Sequence, residues 1–150
     1  MSLQQRIESA MRDAMRARDA RRTQTLRMAM AAAQNKRIEL RRDLTDADML
    51  DVVGKQIKQR RESIEMFRSG GREEKAADEE AEAAILAEFL PEQLSDEEVE
   101  ALVQRAIADS GASGPAEMGK VMGLLAPQTK GRVDGRALSE TVRRLLAGHG

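Results

Sequence analysis

The sequence predicts an all-α protein, with an N-terminal multi-helical domain followed by a small three-helix C-terminal domain. Three observations carry that expectation. Aromatic residues are only 1% of the chain, so the 41% of hydrophobic residues are almost entirely Leu, Ile, Val, Met and Ala. Such side chains build helix cores more readily than pleated sheets. They recur three and four residues apart over long stretches, and Ser, Thr, Gly and Pro stand where helices need starts and stops.

Leu3, Ile7, Ala10, Met11, Ala14 and Met15 give an amphipathic helix over residues 2–18. Residues 19–22 read as a weak break. A second helix is expected from Thr23 to Arg42, with Leu26, Met30, Ala33 and Leu40 inward. Thr45 is a good N-cap, because its hydroxyl can accept an orphan amide while Asp48 occupies the capping-box position. Leu50, Val53, Ile57, Ile64 and Phe67 then carry a third helix to Gly70 and Gly71. A fourth, over residues 72–90, places Ala77, Ala81, Ala84, Ile85 and Phe89 on one face. The two phenylalanines, Phe67 and Phe89, are the expected largest core anchors.

Pro91 closes this half. Ser95 and Glu98 make a second capping box, and three shorter helices follow at 96–109, 115–126 and 135–147, with glycine turns at 111–114 and 131–135. The change from long to short helices places a boundary near residues 91–95. The domains are then expected at 1–92 and 95–150.

Net charge is −1, yet the charges are segregated. Residues 1–42 hold eleven Lys and Arg against four acids, whereas residues 73–100 hold twelve acids against Lys75 alone. This could steer a polyanion to one end, or basic and acidic helices could simply pack side by side. No apolar run marks a signal peptide, and none approaches the ~20 residues that cross a bilayer. Without cysteine, disulfides and thiolate chemistry are excluded. The expected setting is soluble and cytoplasmic, with no membrane partner.

Catalytic machinery is hard to assemble from this chain. His149, the single histidine, sits beside the terminus, and the carboxylates lie along helix faces without EF-hand spacing, so no metal site is expected. Ser63, Ser95, Ser110, Ser113 and Ser139 have no histidine nearby in sequence. There is no Walker loop or dinucleotide fingerprint. No catalytic residue and no cofactor is nominated, and an enzyme is the weaker expectation.

Two polar patterns remain. In residues 55–63, Lys55, Lys58 and Arg61 or Gln59 form a stripe beside the apolar one, suited to phosphate or to the acidic helix that follows. Farther on, Lys120, Lys130, Arg132, Arg136, Arg143 and Arg144 are set against only Glu117, Asp134 and Glu140 between residues 115 and 147. Asp134 can cap the last helix, leaving Arg132 and Arg136 near an N-terminus whose free amides favour phosphate. On spacing alone two readings stand, an anion-binding surface and a bundle whose glycines merely make turns.

Five blocks in order give the chain a family likeness. They are residues 25–28 (TLRM), 55–64 (KQIKQRRESI), 90–94 (LPEQL), 119–123 (GKVMG) and 130–135 (KGRVDG). Together they resemble the GatB/YqeY family, and most of all a free-standing YqeY-like protein, across nearly the whole chain. The resemblance implies a helical N-terminal domain and a three-helix domain similar to the tail of the GatB component of the tRNA-dependent amidotransferase, which amidates Glu-tRNA(Gln) or Asp-tRNA(Asn). In that enzyme the tail helps to engage tRNA while the chemistry lies in a cradle domain, for which this chain has no room. A carbon–nitrogen ligase label with glutamine as amide donor would therefore attach by homology alone.

Carried onto this sequence, the likeness marks Lys120, Lys130, Arg132 and Arg136 as tRNA contacts, with Arg143 and Arg144 as weaker additions. Gly119, Gly123, Gly131 and Gly135 match as backbone positions. The run Ala29 to Ala33 is looser than the family pattern. The expectation is a tRNA-binding accessory protein that reads RNA shape and backbone, since aromatics for stacking bases are scarce, with no DNA partner. Its alternatives are a module that docks on an amidotransferase or aminoacyl-tRNA synthetase, and a cryptic ligase.

Overall fold

The computed structural model describes residues 1–148, so His149 lies outside the described residues. Seven α-helices and one 3₁₀ turn account for the regular structure there, and no strand is present among the described residues. The helices are α1 (Leu3–Arg16), α2 (Ala20–Leu40), α3 (Asp46–Ser69), α4 (Glu73–Ala87), α5 (Asp96–Ser110), α6 (Met118–Thr129) and α7 (Gly135–Ala147), with the 3₁₀ turn at Pro115–Glu117. The chain divides into two compact units, Met1–Leu90 and Pro91 onward.

In the first unit, local chemistry sets most helix ends. Ser2 caps α1 reciprocally with Gln5, and Thr45 caps α3 reciprocally with Asp48. The α1–α2 corner is tighter than the expected four-residue break. Arg18 turns left-handed at φ 57°, while the Asp19 and Arg18 amides close onto the Ala14 and Met15 carbonyls. That is a Schellman closure of α1. Asp19 at once accepts the Arg22 amide at 3.0 Å, so α2 begins at Ala20 and not at Thr23. Gly71, at φ 72°, closes α3 in the same way through the Arg72 amide on the Phe67 carbonyl at 2.7 Å.

The core of this unit gathers Leu3, Ile7, Leu26, Ala29, Ala33, Met49, Val52, Val53, Ile57, Leu86 and Phe89. Phe89 is an anchor as expected, but Phe67 is only half-buried. The buried side of α4 also differs from expectation. Ala76 and Leu86 point inward while Ala77 and Ala84 are exposed. In a helix this rich in alanine, methyl groups on several faces cannot mark the inner one.

The second unit packs α5, α6 and α7 around Val99, Val103, Ala106, Ile107, Val121, Leu125, Leu138, Val142 and Leu146. Ser95 and Glu98 form the expected capping box. Gly111 ends α5 at φ 69°, a conformation that costs glycine least.

Candidate nucleic-acid interface in the C-terminal unit

Helix α6 buries Val121, Leu125 and Thr129, whose hydroxyl donates to the Leu125 carbonyl at 2.8 Å. Its exposed side carries Gly119 and Gly123, one turn apart, and a Cβ placed on either would meet nothing within 4 Å. Lys120, also exposed, sits between them in sequence, with Nζ 3.2 Å from Glu117 Oε2. Leu124 is 42% exposed beside Gly123. Pro127, four residues after Gly123, has no N–H, so the Gly123 carbonyl lacks its usual helical donor. The result is a strip of bare helix backbone flanked by a cation and a leucine.

The loop after α6 has a different job. The Gln93 side-chain amide donates to the Gly131 carbonyl at 2.7 Å, and the Leu94 amide donates to the Arg132 carbonyl at 2.8 Å. Arg132 Nε returns a bond to the Glu92 carbonyl at 3.1 Å, and its Nη1 reaches the Gln128 carbonyl at 3.4 Å. Two of the five sequence blocks thus clasp each other. Arg132 is half-buried, with its guanidinium engaged on backbone oxygens.

Helix α7 turns Leu138, Val142 and Leu146 inward. Arg136 and Arg143, seven residues and nearly two full turns apart, share one exposed side, and neither has an ion-pair partner among the described residues. Arg144 instead bridges to Glu100 of α5 at 2.6 Å. Asp134 holds the N-cap position of α7, yet its carboxylate makes no capping hydrogen bond. Lys130 is exposed. Of the six expected contacts, Arg136 and Arg143 come together on one stripe, while Lys120, Arg132 and Arg144 are engaged within the unit. Arg105, past the acids that open α5, is a further exposed cation, unpaired among the described residues, that sequence reasoning passed over.

The N-terminal unit resolves much of the charge segregation internally. Arg21 reaches Asp78 and Arg22 reaches Glu88, each at 2.8 Å, so basic α2 is laced to acidic α4. Arg68 is shared by Glu73 and Glu80. Arg12, Arg18, Arg27 and Arg41 stay exposed and unpaired among the described residues. The stripe expected of Lys55, Lys58 and Arg61 makes no ion pair with α4 among the described residues, and all three are exposed. The neighbouring Arg60 does so instead, its Nε 3.4 Å from Glu82.

No group of His, Cys, Asp and Glu able to hold a metal occurs among the described residues. No helix among them is long and apolar enough to cross a membrane. The family described as Yqey-like protein matches residues 4–146, which covers every helix but the first residue of α1 and the last of α7.

The chain belongs to the YqeY-like family. It is 28% identical over 144 residues to a protein of Pyrenophora tritici-repentis named Altered inheritance of mitochondria protein 41, mitochondrial, covering 94% of this chain and 79% of that one. It is 33% identical over 94 residues to an uncharacterized protein of Schizosaccharomyces pombe, covering 63% and 76% respectively. A Lachancea thermotolerans protein of the same name as the first is 29% identical over 113 residues, and there the match spans 60% of the relative.

Proposed function

We propose that this YqeY-like chain is a cytoplasmic tRNA-binding accessory protein that meets the RNA backbone through its C-terminal unit, with no catalytic centre of its own. The observation that carries the reading is the bare strip on α6. Exposed glycines inside a helix cost about 1 kcal/mol each relative to alanine, and here alanine would fit without a clash. Backbone left open at that cost suits a close approach by a partner's backbone. Lys120 beside the strip, and Arg136 and Arg143 on α7, supply charge for phosphates. The likeness of the 119–123 and 130–135 blocks to the amidotransferase tail supports tRNA as the polyanion.

Fluorescence anisotropy of labelled tRNA against the full chain tests this. Binding should weaken steeply with salt, and a Lys120/Arg136/Arg143→Ala variant should bind worse with a shallower salt slope. No binding at low salt, or unchanged binding by that variant, would refute it. Leu124, exposed beside the strip, favours a second reading in which the same face docks on an amidotransferase or aminoacyl-tRNA synthetase. An RNA-free pull-down abolished by Leu124→Ser would select that alternative.

A further inference from the structure

The block at residues 55–64 has no part in the RNA reading, yet its polar side lines a groove of about 680 Å³ between α2, α3 and α4. Gln56, Gln59, Arg60 and Ser63 come from that block, and Ala31 and Ala32 keep the opposite wall low. The loose alanine run is therefore what opens the space. A recess of about 260 Å³ adjoins it, sharing Ala32, Asn35, Gln56 and Gln59.

Arg60 is 5% exposed, and its Nε finds no acceptor in hydrogen-bonding geometry although Glu82 Oε2 lies 3.4 Å away. The same guanidinium donates to the Gln56 side-chain oxygen at 3.1 Å and its backbone carbonyl at 3.3 Å. Across the groove α4 presents Glu79 as well as Glu82. Most other acids of α4 have an arginine, but Glu79 has none to itself. Its carboxyl is raised above the ordinary range, chiefly by burial and then by Glu82, with Arg60 opposing.

Two carboxylates against one engaged guanidinium leave the groove short of a cation. That charge balance favours a cation over phosphate at the Glu79 end, away from Lys36 and Lys55 of the adjoining recess, and no aromatic ring is present to stack a base. The amides of Asn35 and Gln59 each offer a donor and an acceptor, and Gln56, whose oxygen already accepts from Arg60, adds its N–H donors, the functions a peptide backbone needs. Met28, 46% exposed on the groove wall, gives an aliphatic stem something to lie against.

We propose that this groove is a peptide-binding site, taking a Lys or Arg side chain of a partner protein with its charged head between Glu79 and Glu82 and its backbone along the Asn35, Gln56 and Gln59 amides. The proposal is independent of the RNA reading, since it uses the other unit and the opposite charge.

Two-dimensional NMR of the full chain tests it, with Ac-Gly-Lys-Gly-NH2 and Ac-Gly-Arg-Gly-NH2 as probes. A cationic probe should move the Gln56 and Gln59 side-chain amide signals saturably at millimolar concentration, and the norleucine peptide should bind roughly tenfold more weakly. Glu79→Gln keeps the shape and removes the half-buried charge, so it should fold normally and lose about tenfold in affinity. The idea is overturned if neither cationic probe shifts these signals, if norleucine or Ac-Gly-Glu-Gly-NH2 binds as well, or if Glu79→Gln binds unchanged. Equal affinity for n-butylammonium would remove the peptide from the assignment.

Discussion

Gly123→Ala separates stability from binding in this chain. Gly123 is the sixth of the twelve residues of α6, exposed, with no atom within 4 Å of the added methyl group. The substitution therefore gains helix propensity without a steric charge against it, about 1 kcal/mol. In a unit this small, that corresponds to a rise of roughly 4–8 °C in Tm. The same methyl group would stand on the strip proposed to meet RNA. A displacement of that kind should weaken tRNA binding about tenfold, or 1.4 kcal/mol. Gly119→Ala should act in the same two directions with a smaller gain in stability, because it lies in the first turn, where amides are still unpaired. Calorimetry and anisotropy on the full-length variants read both quantities. A drop in Tm would refute the openness of the site, and higher Tm with unchanged tRNA affinity would refute the strip as the interface.

Three further outcomes follow from the N-terminal unit. Arg60→Ala removes a buried side chain and strips the partly exposed Glu82 of its partner, and should cost about 3 kcal/mol in urea unfolding; adding Glu82→Leu should restore part of it, and a loss below about 0.5 kcal/mol would show the pair to be idle. Thr25→Val removes a buried hydroxyl with no hydrogen-bond partner, so stability should be unchanged or up to about 1 kcal/mol higher, and a clear loss would reveal a partner for the hydroxyl. Asp48 is held below the usual carboxylate range by Arg42 first, then by the Thr45 amide. With the folded value depressed, its contribution is present above the unfolded value near pH ~4 and fades as pH falls further. Asp48→Asn should therefore lower Tm at pH 7 and flatten the acid limb of a Tm–pH series, whereas a parallel curve would discard the linkage.

What could be read from sequence was local, and what could not was relational. Ser2, Thr45 and Ser95 announce their helices because a cap needs only its own next three residues. Arg18 did not announce the α1–α2 corner, since a left-handed arginine looks like any arginine until Asp19 is seen closing one helix and opening the next. The inner face of α4 was illegible because its alanines stand on several sides, and only packing sets buried Ala76 apart from exposed Ala77 and Ala84. Arg60 was passed over for Lys55, Lys58 and Arg61 because its value depends on Glu82, twenty-two residues away in sequence. Within the RNA-facing candidate, the cations were visible as a cluster of residue types. The roles of Arg132 and Arg144 emerged only with their distant partners, Glu92 and Glu100.

The clasp between residues 92–94 and the loop at Gly131 and Arg132 bears on how the protein should be dissected. A fragment begun at Ser95, where the helix pattern starts, would discard Glu92, Gln93 and Leu94. Three hydrogen bonds that pin the α6–α7 loop would go with them. A fragment begun at Pro91 carries its own fastening. The C-terminal unit is in that sense a portable cassette whose strap arrives before its first helix, and a graft onto another protein should be cut ahead of the strap.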